Sequence, residues 1–252
     1  MGANGIPAEL PEAELEQVKL TFKVKGRRVA LIKTTPIEDD DFRRLRPGRW
    51  LNDELINAYM ILIQARADRP ARSTDIGFRT APLRLIEINR NIFCFGTFFF
   101  HRLVRHGYQE AKLSSWTKNV NIFSLDRILL PINHFNNHWT AASINFTRKR
   151  IESFDSLEDS NHGRVFKFLC QYLDAEHRDK RFEPFNFSGW INYTHPMQPL
   201  QSNGCDCGVF TLVTLDALAR GEDDLLFDQS NMAYFRMRIG WEILNGTLKT
   251  YG

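Results

Sequence analysis

Cysteine is scarce in this chain: Cys94, Cys170, Cys205 and Cys207 are the 4 in 252 residues. So few cannot staple a chain of this length, which excludes a disulfide scaffold and makes reduced thiols in an intracellular compartment the expectation. No basic N-terminal stretch leads into an apolar one, so no secretory signal is read. The Met-Gly start lacks a Ser or Thr at position 6, which argues against myristoylation. Apolar runs such as Ile92–Phe100 fall well short of the about 18–20 residues that cross a bilayer, so no membrane partner is expected. A charge excess is nearly missing as well. Lys and Arg total 33 against 30 Asp and Glu, for a net charge of +3. The basic residues are scattered rather than interleaved with stacking aromatics, so no nucleic-acid partner is expected. No internal repeat is visible.

What is present suits one sizeable core. Hydrophobic residues make up 43% and charged residues 25%, with 20 Phe, which excludes a disordered or collagen-like chain. One large domain is expected rather than two small ones. Residues 1–17 read as a loosely ordered, weakly helical leader, and 18–252 as the domain proper. Two β-rich stretches, Leu20–Val24 and Val29–Lys33, flank Gly26-Arg27-Arg28 and predict a hairpin there. Trp50–Arg66 reads as a helix, with Asn52 as its cap, Asp53 and Glu54 at its positive end, and Leu55, Ile56, Tyr59, Met60 and Ile63 on one face. Asp68–Ala81 reads as a loop.

Strands are predicted at Ile92–Gly96, Arg127–Asn133, Trp139–Phe146, Arg150–Phe154 and Ile191–His195. Helical segments are predicted over Thr97–Ser114, interrupted near Gly107, and over His162–His177, Cys207–Arg220 and Met232–Leu248, with Gly221 ending the third. Strands and helices mix without regular βα alternation, so the fold class is α+β.

The chemistry concentrates at Gln201-Ser-Asn-Gly-Cys-Asp-Cys-Gly-Val-Phe210. A turn at Asn203-Gly204 is followed at once by an apolar helix, so Cys207 falls in the first helical turn, where free N–H groups and the helix dipole favour a thiolate. A buried structural Cys is an equal reading of that stretch alone. A Cys-x-Cys metal clip with His195 is weak, because no second ligand pair has suitable spacing; no metal or cofactor is expected. A turn near Phe146–Arg148 sets His138 nearly opposite Asp155 at the open end of a hairpin. The carboxylate can then hold one imidazole nitrogen while the other takes a proton from Cys207. A surface His and a turn Asp would be the bland account of the same two residues. Gln201, six residues before Cys207, carries an amide that can donate to a developing oxyanion, or is simply a solvated loop residue. Trp50 and Trp139 are either core residues or the walls of a narrow slot.

These residues carry a pattern. The chain resembles the SUMO-specific cysteine proteases, the Ulp/SENP family of papain-like peptidases. The matching stretches are Leu45–Asn57, Phe98–Phe100 with Trp116–Lys118, Pro131–Asn133 with His138-Trp139, Phe154–Ser156, Gln201–Phe210, and Tyr234–Arg238 with Trp241–Ile243. The resemblance implies a papain-like α+β domain with a central mixed sheet flanked by helices. It implies Cys207 as nucleophile, His138 as general base and acid, Asp155 as the residue orienting it, and Gln201 as oxyanion donor. Trp50 and Trp139 match the pair lining a slot for the Gly-Gly tail of SUMO, and Asp53 a position that contacts the SUMO surface. The implied activity is thiol proteolysis after Gly-Gly, deconjugating SUMO from lysines and maturing its precursor. The implied partners are SUMO and SUMO-conjugated proteins, acted on by a monomer. The implied location is the nucleus, its envelope or pore. A protease for another ubiquitin-like modifier such as NEDD8, and a non-catalytic SUMO-binding module, are the competing readings. Leu200 departs from a frequent Gln-Gln pair, and Cys205 adds a thiol where the family is variable.

Overall fold

A computed structural model describes residues 5–69, 91–157 and 162–249. Its first element is a helix, α1 (Glu12–Thr21), with Val18 fully buried. The loose leader and the Leu20–Val24 strand read from the sequence give way to it. Leu15, Val18 and Phe22 recur at helical spacing and pack into the core, and that burial outweighs the local β propensity of Leu20–Val24. The predicted hairpin therefore shifts along the chain. Strand β1 (Arg28–Ile32) pairs antiparallel with β2 (Thr35–Glu38), and the turn between them uses Lys33, whose φ is 51°, in place of Gly26.

A short helix, α2 (Asp39–Phe42), leads to α3 (Asp53–Ala67). Asn52 caps α3, its side-chain oxygen accepting from the Leu55 N–H at 3.3 Å, and the five residues predicted for its apolar face are all buried. All but the first two residues of the loop expected over Asp68–Ala81 lie outside the described residues. Then follow β3 (Ile92–Cys94), α4 (Phe98–Glu110), β4 (Arg127–His134), β5 (His138–Asn145), β6 (Arg150–Phe154), α5 (His162–Arg181), β7 (Ile191–Thr194), α6 (Cys207–Arg220) and α7 (Met232–Asn245). Gly107 breaks the helical path inside α4 with a φ of 68°. Gly221, at φ 82°, ends α6 in the left-handed conformation that a Cβ disfavours.

The main sheet has five strands in the order β3-β4-β5-β6-β7. Its outer pairs, β3–β4 and β6–β7, are parallel, and its inner pairs antiparallel. The sheet is thus mixed and the architecture α+β, as expected. Because successive side chains alternate across a strand, Leu129, Trp139, Ala141 and Phe154 face one cluster with α3, α6 and α7. Ile128, Leu130, Ile132, Ala142, Ile144 and Ile151 face the other, with α4 and α5. Burial on both faces explains why β4 and β5 read as continuous apolar runs. Each fully buried Leu or Ile contributes roughly 1.5–3 kcal/mol.

Helix α6 is buried from Cys207 to Ala219, and so is apolar on nearly every side. Its exception, Asp216, pairs with Arg66 of α3 at 2.7 Å and with Arg220. Burial alone would raise its pKa, but the charges of Arg220, Arg66 and Arg238 hold the carboxyl well below the usual range.

Candidate active site

Three secondary-structure ends converge on one point. His138 is the first residue of β5, Asp155 directly follows β6, and Cys207 opens α6. The β5–β6 register, with Ala141 opposite Phe154, brings His138 to the end of β6. There its Nε2 lies 2.7 Å from Asp155 Oδ1. The Cys207 thiol is the ring's other close electrostatic partner. Burial alone would lower the His138 pKa. The hydrogen bond to Asp155, the Cys207 thiol beside the ring and the charges of both outweigh it and raise the pKa to about 9.

Asp155 is itself fixed. Its Oδ1 also accepts from the Leu157 N–H at 2.8 Å, and its own N–H donates to Gln198 Oε1 at 3.1 Å. The oxygen that meets the imidazole is thus also held by backbone, as a group that orients a general base needs to be.

Cys207 is 3% exposed and sits at the floor of a cleft of about 790 Å³. An α-helix supplies no carbonyl for its first N–H groups, so the cleft floor carries backbone donors beside the sulfur. Trp50, Asp53 and Trp139 line the same cleft, together with Phe98 and His134. The two indoles are held differently. Trp139 is 5% exposed and donates from Nε1 to the Leu51 carbonyl at 2.9 Å. Trp50 is 47% exposed and donates to the Gly204 carbonyl at 2.6 Å.

Six of the seven residues singled out from the sequence therefore meet, either on the cleft or in the imidazole's hydrogen bonds. Gln201 stands to one side. Its Oε1 accepts from Ser156 Oγ at 2.6 Å, and its amide nitrogen donates to the Asn203 carbonyl, within the loop that leads to Cys207. The weak Cys-x-Cys metal reading finds no support: among the described residues there is no cluster of three His, Cys, Asp or Glu that could hold a metal ion.

Gly208 and Asp206, which the sequence marked only as neighbours of Cys207 in the matching stretch, gain their reasons from the structure. A Cβ on Gly208 would stand 3.0 Å from Leu51 Cβ, so this glycine lets the start of α6 abut the residue whose carbonyl receives Trp139. Asp206 is buried, and its signal in the sequence was only adjacency to Cys207. Burial would raise its pKa, but hydrogen bonds from Asn203, Gln229 and Arg236 lower it.

A mixed sheet flanked by helices, with an imidazole bonded to a carboxylate and set against a thiol at a helix start, defines the papain-like class of cysteine-peptidase folds. The chain belongs to the Ulp1 protease family: the profile of that family's C-terminal catalytic domain matches residues 49–246. A sentrin-specific protease of Caenorhabditis elegans is 36% identical over 208 residues, covering 82% of this chain and 27% of that protein. Sentrin-specific protease 2 of Mus musculus is 34% identical over 211 residues, 82% of this chain and 32% of that protein. The chain thus spans about a third of these relatives' length. The X-ray structure of the C-terminal Ulp1 protease domain in complex with Smt3, the yeast ortholog of SUMO, superposes with a TM-score of 0.75 at 26% identity. That match covers 97% of this chain and 99% of the other.

Proposed function

We propose that this domain is a thiol protease that cleaves after the C-terminal Gly-Gly of SUMO, releasing SUMO from lysines and maturing its precursor. The observation that carries the reading is the His138 ring, bonded to Asp155 and set against the Cys207 thiol, beside a cleft bordered by Trp50 and Trp139. Membership of the Ulp1 family and similarity to sentrin-specific proteases and to a SUMO-bound Ulp1 domain support the choice of modifier.

In this reading His138 takes the proton of the Cys207 thiol, and the thiolate attacks the carbonyl carbon of the terminal glycine. The negative oxygen that develops is received by the backbone N–H groups at the start of α6 and by the Gln201 amide, whose grip on Asn203 must loosen for the purpose. His138 then hands its proton to the leaving lysine amine. A thioester remains on Cys207, and water, deprotonated by His138, hydrolyses it and restores the thiol. Asp155 keeps the ring's tautomer and orientation throughout. The indoles of Trp50 and Trp139 select glycines sterically, since a Cβ would strike them, while Asp53 at the cleft mouth meets the folded body of the modifier.

The test is a cleavage panel of SUMO and NEDD8 carrying C-terminal fluorophores. Release from SUMO, with binding but no turnover by Cys207→Ser, is expected. Preferential release from NEDD8 would overturn the modifier assignment. Absence of a covalent adduct at Cys207 with a SUMO vinyl sulfone would leave a binding module. Monomeric action and residence in the nucleus, its envelope or pore belong to the same proposal and rest on family resemblance. Light scattering of the purified chain and imaging of a tagged full-length protein test them.

A further inference from the structure

The loop before Trp50 and the loop before Cys207 meet at one buried side chain contributed by α7. Arg236 is 2% exposed. Its Nε donates to Asp206 Oδ1 at 2.8 Å, and its Nη2 lies 2.6 Å from the same oxygen. Nη1 donates to the carbonyls of Arg44 and Arg46, both at 3.1 Å. Nη2 donates to the carbonyls of Arg49 at 2.8 Å and Cys205 at 3.0 Å. On the far side of Asp206, Oδ2 accepts from Asn203 Nδ2 and Gln229 Nε2, each at 2.7 Å. One guanidinium thus ties the segment that ends at Trp50 to the segment that ends at Cys207. The Trp50 indole closes the same gap from above by bonding Gly204.

A buried ion pair is a poor device for stability alone, because desolvating two charges offsets much of their attraction, and well-packed apolar side chains often do as well. What the guanidinium supplies that an apolar side chain cannot is a planar fork with donors at fixed angles, here aimed at four backbone carbonyls and a carboxylate. Arg44 belongs to one short 3-10 turn, Arg43–Leu45, and the other acceptors to irregular chain, and no shared ladder sets the spacing between the two segments.

We propose that Arg236 is a positioning residue for the cleavage reaction: it fixes the separation of the 44–49 and 203–206 segments, and so the distance from the Trp50 indole to the Cys207 thiol. This rests on the thiol-protease reading above. Cys207 keeps its own support from α6 and from the β5–β6 ends. Loss of the clamp therefore leaves the thiol chemically able but shifts the carbonyl that the slot presents to it. A displacement of about 1 Å costs on the order of 100-fold in rate.

The experiment compares the parent with Arg236→Lys, which keeps a charge without the fork, and Arg236→Met, which keeps apolar bulk. Steady-state cleavage of a SUMO–fluorophore substrate is read alongside alkylation of Cys207 by iodoacetamide, followed by mass spectrometry. In both variants kcat is expected to fall about 30- to 100-fold with KM within about threefold, as misplacement of reacting groups predicts. The Cys207 alkylation rate and its pH profile should stay within about twofold of the parent. Should Arg236→Met fail to fold, Arg236→Lys decides. A folded variant with parental kcat overturns the proposal, and so does a kcat loss matched by an equal loss of alkylatable Cys207.

Amide hydrogen exchange supplies a readout independent of substrate. In Arg236→Lys, residues 44–50 and 201–206 should exchange together about tenfold faster while β4–β6 and α6 keep their protection. Unchanged protection in the two loops, or loss across the whole chain, sinks the clamp. A parent that cleaves no modifier, with Arg236→Lys still showing this paired exchange, would overturn the protease reading and leave the clamp standing.

Discussion

His138, Asp155 and Cys207 stand at the ends of two paired strands and one helix, whereas Trp50 and Gln201 stand on irregular chain. The first group inherits its geometry from the β5–β6 register and from α6, whose first thirteen residues are buried. The second is held by side-chain bonds across loops, the Trp50 indole to the Gly204 carbonyl and the Gln201 amide to Ser156 and Asn203, with Arg236 tying the loops together. Atoms that move protons at fixed distances gain from the rigid placement. Groups that must admit a folded substrate and then grip its tail gain from local freedom. If this division is right, substitutions in the rigid set should damage turnover most, and those in the loop set should act later or through binding.

The largest effect belongs to the nucleophile. Replacing Cys207 with Ala is expected to lower kcat on the order of 10⁵-fold or more, with substrate binding retained, because no other group can form the acyl intermediate. Single-turnover cleavage together with fluorescence anisotropy measures both. Residual turnover only about tenfold below the parent would move the chemistry elsewhere.

Next comes Asp155→Asn, expected to cost on the order of 10³- to 10⁴-fold in kcat by releasing the imidazole from its oriented tautomer. It also carries a pH signature. The folded-state pKa of His138 is raised from 6.5 to about 9, so the folded protein holds that proton more tightly than the unfolded chain does. The resulting stability is fully present below about pH 6.5 and is lost as pH rises through about 9. Urea unfolding should therefore show the widest gap between parent and Asp155→Asn near pH 6, narrowing toward pH 9. A gap that widened with pH would contradict the pairing.

Legibility in the sequence follows the same line. The His138–Asp155 pairing could be read from the strand pattern alone, because an antiparallel hairpin with a short turn fixes which residues end up opposite one another. The Asn52 cap and the buried face of α3 were equally local signals, and Cys207 at a helix start followed from a turn dipeptide before an apolar run. Long-range geometry was not legible. Val18 sits in a helix and Phe22 at its C-cap because the core rewards their helical spacing, against the local β-rich composition. Arg236 reads as an ordinary charged helix residue, and only the tertiary fold reveals that its acceptors lie about 190 positions earlier, at Arg44, Arg46 and Arg49. Gly208 likewise looks like a helix-weakening residue until Leu51 is found where its Cβ would be.

A smaller loss is expected for Gln201→Ala: about 100-fold in kcat, in line with removal of one oxyanion donor, with little change in KM. Because Gln201 lies on a partly exposed loop, thermal stability should stay within about 0.5 kcal/mol of the parent. Stopped-flow kinetics and calorimetry on the same preparation separate the two quantities. A comparable loss of stability would mean that its bonds to Ser156 and Asn203 hold the loop rather than wait on the reaction.

The smallest effect on turnover, and the sharpest contrast, lies between the two tryptophans, which border one cleft. Trp139 is a strand residue buried in the core beside Leu129 and Ala141, with its indole N–H satisfied by Leu51. Truncation to Ala removes a large buried ring and leaves that carbonyl unpaired, so it should cost about 3–5 kcal/mol in unfolding free energy. Trp50 is nearly half exposed and bonded only to a loop carbonyl. Trp50→Ala should cost less than about 1 kcal/mol of stability. Its mark should fall on Gly-Gly cleavage: kcat lower by about 30-fold, as for loss of the Arg236 clamp that sets its distance from Cys207, together with a rise of about tenfold in KM. Equal destabilisation by the two substitutions would show that the Trp50 loop is as firmly built as the β5 strand. It would also dissolve the division between a rigid reacting set and a mobile gripping one.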